Sequence, residues 1–259
     1  MSMILVLLFV ISPLRAEESA ADLAKKSQNP VADMISLPIQ YNINFETGPK
    51  AKTQNIVLVQ PVVPIGLNDD WNFIARPIIP LLNQPPLTNL QDRECGIGNV
   101  QFQGFFSPKE NVGDWIMGFG PYFEFPTNSN DQLGTDMWSA GPAFVALQIK
   151  GPWVFGGLVT QLWSYSGPDP EVNITAIQPF LNYNMKDGWY LSASPTLTAN
   201  WSADSDNQWT VPIGGGVGKI HKIGKQPVNI SAKAYYNVEA PETGSDWTLS
   251  LQMQLLFPK

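Results

Sequence analysis

Histidine and cysteine, the side chains that most often carry catalysis or hold a transition metal, occur once each in this chain, as His221 and Cys95. A lone cysteine excludes an internal disulfide and any two-cysteine metal site. His221 lies in Lys219-Ile-His-Lys-Ile-Gly224, a turn-like stretch. A nucleophilic serine would need that histidine as its base on a neighbouring strand face, which a turn does not provide. Asp204-Ser-Asp206 alternates oxygen ligands as a calcium loop does. It lacks the turn glycine and the closing bidentate glutamate of such a loop, so it reads as a solvated acidic surface. Gly214-Gly-Gly216 has neither the Lys-Ser/Thr ending nor the following helix of a phosphate loop. It reads as strand glycine that lets two backbones approach closely. No catalytic residue, metal or cofactor is expected.

A different chemistry is suggested by charges set inside alternating stretches. Arg76 alternates with Phe73, Ala75 and Ile79, Glu124 with Trp115, Met117, Phe119, Phe123 and Phe125, and Lys233 with Val228, Ile230, Ala232, Ala234 and Tyr236. Period two puts each charge on the strand face opposite its apolar neighbours. Gln40, Gln60, Gln101, Gln103, Gln178 and Gln252 are expected on the same polar side. Such a set would line a wet pathway and tune what passes along it. The bland alternative is a lumen plugged by an Arg76–Glu124 salt-bridge network.

Twelve strand-like segments, bounded by Gly, Pro, Asn and Asp, would have to position these residues. They run roughly over 35–45, 54–64, 71–81, 97–107, 114–125, 137–149, 153–164, 172–183, 189–200, 208–219, 227–237 and 246–257. The last is the clearest. Trp247, Leu249, Leu251, Met253, Leu255 and Phe257 alternate with Thr248, Ser250, Gln252 and Gln254. Segments two, six and seven alternate less cleanly. An apolar strand face can be buried in a soluble sandwich or can meet lipid around a barrel. Eleven residues at ~3.3 Å each, tilted by about 40°, cover roughly 27 Å, close to the ~25 Å apolar band of membrane barrels. Pro38, Pro61, Pro64, Pro77, Pro142, Pro179, Pro195 and Pro212 fall inside the segments. Each removes a ladder donor, so they are expected to mark bulges and kinks.

Loop charge and tryptophan placement favour lipid. With the N-terminus in the periplasm, the outer connections carry Glu46, Asp92, Glu94, Asp131, Asp169, Glu171, Asp204, Asp206, Glu239 and Glu242 against Lys50, Lys52 and Arg93. The inner connections are shorter and carry Lys109, Lys150, Lys186, Lys219, Lys222 and Lys225. Trp71, Trp115, Trp153 and Trp189 fall at inner turns, and Trp138, Trp163, Trp201, Trp209 and Trp247 near outer loops. Indole prefers the lipid–water interface, so two aromatic girdles account for this spacing. The fold class expected is all-β, a single closed antiparallel transmembrane β-barrel of about twelve strands over residues 35–259, with a short N-terminal helical segment.

The N-terminus divides further. Met3 to Ile11 is a short apolar run before Ser12-Pro13-Leu14-Arg15-Ala16, and residues 1–16 read as a secretory signal peptide or else a buried strand. Residues 17–34 form a periplasmic segment, either a disordered leader or a short helix over Ser19–Lys26 at or inside the barrel mouth. Loss of residues 1–16 removes Arg15 and moves the net charge from −7 to −8, which argues against nucleic acid as a partner.

Several stretches also resemble a family of Gram-negative outer-membrane proteins that often carries the misleading label "neuromedin U". The family is akin to the barrels grouped with the meta-pathway of phenol degradation. The stretches are Ala24-Lys-Lys-Ser-Gln-Asn-Pro-Val-Ala-Asp33, Gln60-Pro-Val-Val-Pro64, Trp71-Asn-Phe-Ile-Ala-Arg-Pro77 and Gly96-Ile-Gly-Asn-Val100. Phe105-Phe-Ser-Pro108, Trp138-Ser-Ala-Gly-Pro-Ala-Phe144, Gln178-Pro-Phe180 and Leu255-Leu-Phe-Pro-Lys259 complete the set. Asn99 stands where the family pattern leads one to expect Asp. The resemblance implies an outer-membrane barrel that passes small or hydrophobic compounds, with no established substrate. Two functions stand open on these grounds, a channel or transporter and a non-conducting structural or surface-binding barrel. The expected partners are outer-membrane lipid, a small solute of unknown identity and the outer-membrane insertion machinery. That machinery would read the last strand, although Pro258 and Lys259 follow its terminal aromatic residue Phe257.

Overall fold

The computed structural model describes residues 19–88, 90–168 and 170–258, so the candidate signal peptide lies outside the described residues. One helix, α1 (Ala20–Ser27), precedes a closed antiparallel barrel of twelve strands, as the alternation predicts. The strands are β1 (Ile35–Thr47), β2 (Lys52–Val59, continued by Val63–Gly66), β3 (Trp71–Gln84), β4 (Glu94–Ile97 and Val100–Pro108), β5 (Ile116–Phe125) and β6 (Trp138–Lys150). They continue as β7 (Trp153–Ser166), β8 (Asn173–Asn184), β9 (Trp189–Ala193 and Leu197–Asn200), β10 (Trp209–Ile223), β11 (Gln226–Glu239) and β12 (Trp247–Phe257).

Each strand pairs with its neighbours in sequence, and β12 returns to β1. The closing seam runs unbroken from Ile35 opposite Phe257 to Phe45 opposite Trp247. At its end the rings of Phe45 and Trp247 stack at 4.0 Å. Full closure leaves no edge strand to template aggregation. Connections alternate in length. Gly151-Pro152 and Gly224-Lys225 suffice at one end, here the turn end, while 85–93 and 126–137 lie at the other, the loop end.

The prolines divide into two groups. Pro61 and Pro195 fall in the breaks of β2 and β9, and the β10–β11 register shifts between Val211 and Pro212. Pro38, Pro64, Pro77, Pro142 and Pro179 instead sit on regular rungs, opposite Gln254, Ile74, Phe102, Pro121 and Gly157. For these the expected kink is absent, because neighbouring rungs hold the register.

Outward positions form an apolar belt. Phe119, Phe144, Val159, Ile177, Leu181, Leu191, Ile230, Leu251 and Met253 are all exposed, from β5 round to β12. A belt of this extent is stable only against lipid. The inner face is divided. From β3 to β8 much of it is apolar and buried, with Ile74, Phe105, Val145, Leu147, Val154, Leu158 and Leu162 packed together. This is why β6 and β7 alternate poorly in sequence, since both of their faces are apolar. From β9 round to β2 the inner face is rich in amides and hydroxyls.

The N-terminal segment enters the barrel at the turn end. Ser19 caps α1 by accepting the Asp22 N–H at 3.1 Å. Leu23 and Ala24 are buried against Tyr190, Ile220 and Leu256, all inward-facing. Asn29-Pro30 ends the helical run, and the chain then sends Val31 into the apolar cluster. Gly118 makes room there, because a Cβ on it would lie 2.9 Å from a Val31 methyl.

Candidate functional site

Packing alone would fill a barrel of this size, but on the amide-rich side it does not. A cavity of about 630 Å³ lies between the polar wall and the N-terminal segment. Lys26 to Pro30, Ala32 and Met34 form its floor. The wall above is supplied by Arg76 of β3 and by alternate residues of β1, β2, β8, β9, β10, β11 and β12. The local reason is the pleat: Ser36, Gln40, Asn42 and Asn44 point inward because Ile39, Tyr41 and Ile43 must point to lipid.

The wall is a hydrogen-bonded network. Arg76 Nη2 donates to Gln60 Oε1 at 2.7 Å, and Nη1 donates to Gln103 Oε1 at 3.4 Å. Gln60 Nε2 reaches Gln40 Oε1 at 3.5 Å, and Gln40 Nε2 donates to Asn42 Oδ1 at 2.9 Å. Across the seam, Asn44 donates to Gln54 and accepts from the Thr248 hydroxyl, each at 2.6 Å. On β11, Lys233 Nζ donates to Ser194 Oγ at 2.8 Å, and Tyr235 OH accepts the Ser194 backbone N–H at 3.2 Å.

The same network holds the floor. Tyr190 OH donates to Asn229 Oδ1 at 2.7 Å. Asn229 Nδ2 donates both to Ser27 Oγ at 3.1 Å and to Gln254 Oε1 at 3.2 Å. Gln28 and Asn184 exchange amide hydrogen bonds of 2.9 and 3.1 Å. The Tyr190 ring lies flush on Gly218, where a Cβ would stand 2.1 Å from it. The glycine in the run flagged by sequence for close backbone approach therefore has a neighbour two residues on that admits an aromatic ring.

All nine residues expected on the polar side face inward, but they do not form one group. Gln40, Gln60, Arg76, Gln178, Lys233 and Gln252 line the cavity. Gln103 touches it only through Arg76. Gln101 and Glu124 belong to a separate cluster toward the loop end. There Gln101 Nε2 donates to Glu124 Oε2 at 2.7 Å, and Asn99 Nδ2 donates to Glu124 Oε1 at 3.4 Å and to the Thr135 carbonyl at 2.9 Å. Glu124 is thus engaged by two amides, and Arg76 by two others. The alternative of an Arg76–Glu124 salt-bridge network does not form, because register sets Arg76 on the rung of Gln103 and Tyr122, and Glu124 on that of Gln101, two residues along. Tyr190, Ser194, Asn229, Tyr235 and Gln254 were not singled out from sequence. Their signal was present only as the polar phase of alternating strands, which does not separate cavity from packed wall.

The other candidate residues lie away from the cavity. His221 is exposed on the outer face of β10, and Asp204 and Asp206 are exposed at the loop end.

No protein-family model and no curated protein matches the sequence. Solved structures do match in shape. An outer membrane channel from Pseudomonas putida F1 aligns with a TM-score of 0.69 at 14% identity, over 87% of this chain and 96% of that one. The NanC porin aligns at 0.56 and 12% identity, over 87% and 100% of the two chains. Outer membrane phospholipase A from Escherichia coli aligns more loosely, at 0.48 and 13% identity over 93% and 97%. The short motifs' narrower family resemblance has no counterpart among these matches. What the apolar belt, the closed seam and the two closer matches establish together is the fold of Gram-negative outer-membrane β-barrels.

Proposed function

We propose that this protein is a channel or transporter of the outer membrane, not an enzyme, and that small solutes cross it along the polar half of its lumen. The observation that carries this reading is the cavity of about 630 Å³ whose wall is rich in amides and hydroxyls, interspersed with apolar residues such as Ile56, Val62 and Phe180. A structural barrel has no use for such a wall, since filling it with side chains would stabilise the fold. The polar groups hydrogen-bond to one another and still leave room for a hydrated guest. The two closer structural matches, a channel and a porin by description, support the same role. Residues 17–34 then act as the periplasmic plug of the pathway, and the C-terminal strand serves the outer-membrane insertion machinery. The short motifs support a kinship with the barrels labelled "neuromedin U" and those of the phenol meta-pathway.

The test is current through planar bilayers. Folded protein should give discrete conductance steps, and their frequency should rise when Leu23→Asp loosens the seat of α1 against Tyr190, Ile220 and Leu256. Protein that shows heat-modifiable migration in both forms yet passes no current in either would end the channel reading.

One observation favours a second reading, the non-conducting barrel. The floor formed by Lys26–Pro30 and Met34 closes the cavity toward the turn end. In that case the plug never leaves, and Leu23→Asp changes stability without opening a path.

A further inference from the structure

The chain as a whole is acidic, with 22 Asp and Glu against 15 Lys and Arg. Its cavity is the reverse. Lys26, Arg76 and Lys233 line it, and among the described residues no aspartate or glutamate does. The partners of the two wall cations are neutral. Arg76 is held by the side-chain carbonyls of Gln60 and Gln103, and Lys233 by the hydroxyl of Ser194. A guanidinium has five N–H donors and an ammonium three, so both keep donors available beyond these contacts. Bringing a cation into an enclosed site is costly unless an opposite charge meets it. Among the described residues, the protein supplies none to either wall cation. Glu124, the inward carboxylate nearest in sequence logic, is instead occupied by Gln101 and Asn99 in another cluster.

We propose that the cavity binds small hydroxylated organic carboxylates, drawn in by Arg76 and Lys233. The substrate class follows from three features. The planar fork of arginine matches a carboxylate in two parallel hydrogen bonds. The wall beyond it is built of amides and hydroxyls, such as Gln178, Gln252, Ser192 and Thr198, which suit a polyol body and not an apolar one. The volume of about 630 Å³ is far more than a simple inorganic anion needs and falls in the range of sites for small organic molecules. Outside the cavity, the acidic loop end disfavours anions at long range, so selection is made at the cations themselves and not by the surface field.

This inference rests on the reading of the lumen as a solute path, yet it is tested by binding and not by current. Folded full-length protein in detergent is titrated calorimetrically with gluconate and, separately, with the uncharged polyol sorbitol. Gluconate should bind saturably, and sorbitol about tenfold more weakly or worse, the value of one charge-assisted hydrogen bond. Arg76→Gln and Lys233→Gln should each weaken gluconate by a similar factor, and Arg76→Lys should lose less. Equal binding of gluconate and sorbitol, or no binding of either, overturns the proposal. So does unchanged gluconate affinity in the folded double variant. If a variant fails to fold, the gluconate–sorbitol comparison on the unaltered barrel decides alone. Conductance separates the two claims: gluconate binding without current sinks the channel and leaves the site, while current through a barrel that binds gluconate no better than sorbitol sinks the site and leaves the channel.

Discussion

The inner face of the barrel is two materials on one scaffold. From β3 to β8, Ile74, Phe105, Val145, Leu147 and Val154 are fully buried and interlock with Val31 of the N-terminal segment. From β9 round to β2, Lys233 bonds to Ser194, Asn229 and Gln252 each bond to Gln254, and Gln40 bonds to Asn42, all around an open cavity. Backbone geometry is common to both sides, so the inward residue types decide whether the lumen is filled. Apolar side chains gain by closing every gap between them. Amides and hydroxyls need directed partners, and water meets that need where protein does not. The packed side therefore holds the barrel together and the polar side leaves a path.

Several substitutions would break or sharpen this contrast. Phe105→Ala empties the middle of the packed side and should cost about 3–5 kcal/mol in urea unfolding of the barrel from bilayers. A loss below about 1 kcal/mol there would show that the two sides do not differ in kind. Gly218→Ala drives a methyl into the Tyr190 ring, displacing the hydroxyl that orients Asn229 and the seat of α1. Overpacking of this kind should cost about 1–3 kcal/mol and make the N-terminal segment cleavable by added protease. Ser19→Ala removes the cap of α1 and should weaken that helix by about 1 kcal/mol, seen as faster proteolysis with an unchanged midpoint for the barrel. The smallest effect on stability belongs to the polar side. Gln40→Ala should cost less than about 1 kcal/mol, since water in the cavity replaces its bonds to Asn42 and Gln60. The same change should alter conductance, and an unaltered current would place the path elsewhere.

Legibility from sequence followed the same division. On β1, β9, β11 and β12 one face is apolar and the other polar, so alternation states which side meets lipid. On β6 and β7 both faces are apolar, and alternation carries no sign. Leu158 and Leu162 turn inward while Val159 is exposed, yet nothing in their types distinguishes them. The charged residues show the limit most clearly. Parity assigns Arg76, Glu124 and Lys233 to the inner face, because a charge on the lipid face costs about 2–4 kcal/mol at the midplane. Parity says nothing of height or distance, so it could not separate an Arg76–Glu124 pair from the two clusters in which these residues lie.

What the sequence by itself determined, then, was the wall: strand count and the closure of β12 on β1. These depend on local period and on the solvent each face meets, and both are written along a single strand. What only the tertiary structure decided was the content of the lumen. The seat of α1 on Tyr190 and Gly218, the separation of Glu124 from Arg76, and the absence of a carboxylate beside Lys233 among the described residues all arise between strands far apart in the chain. Register and the packing of opposite walls set those distances, and neither has a signature in local residue order.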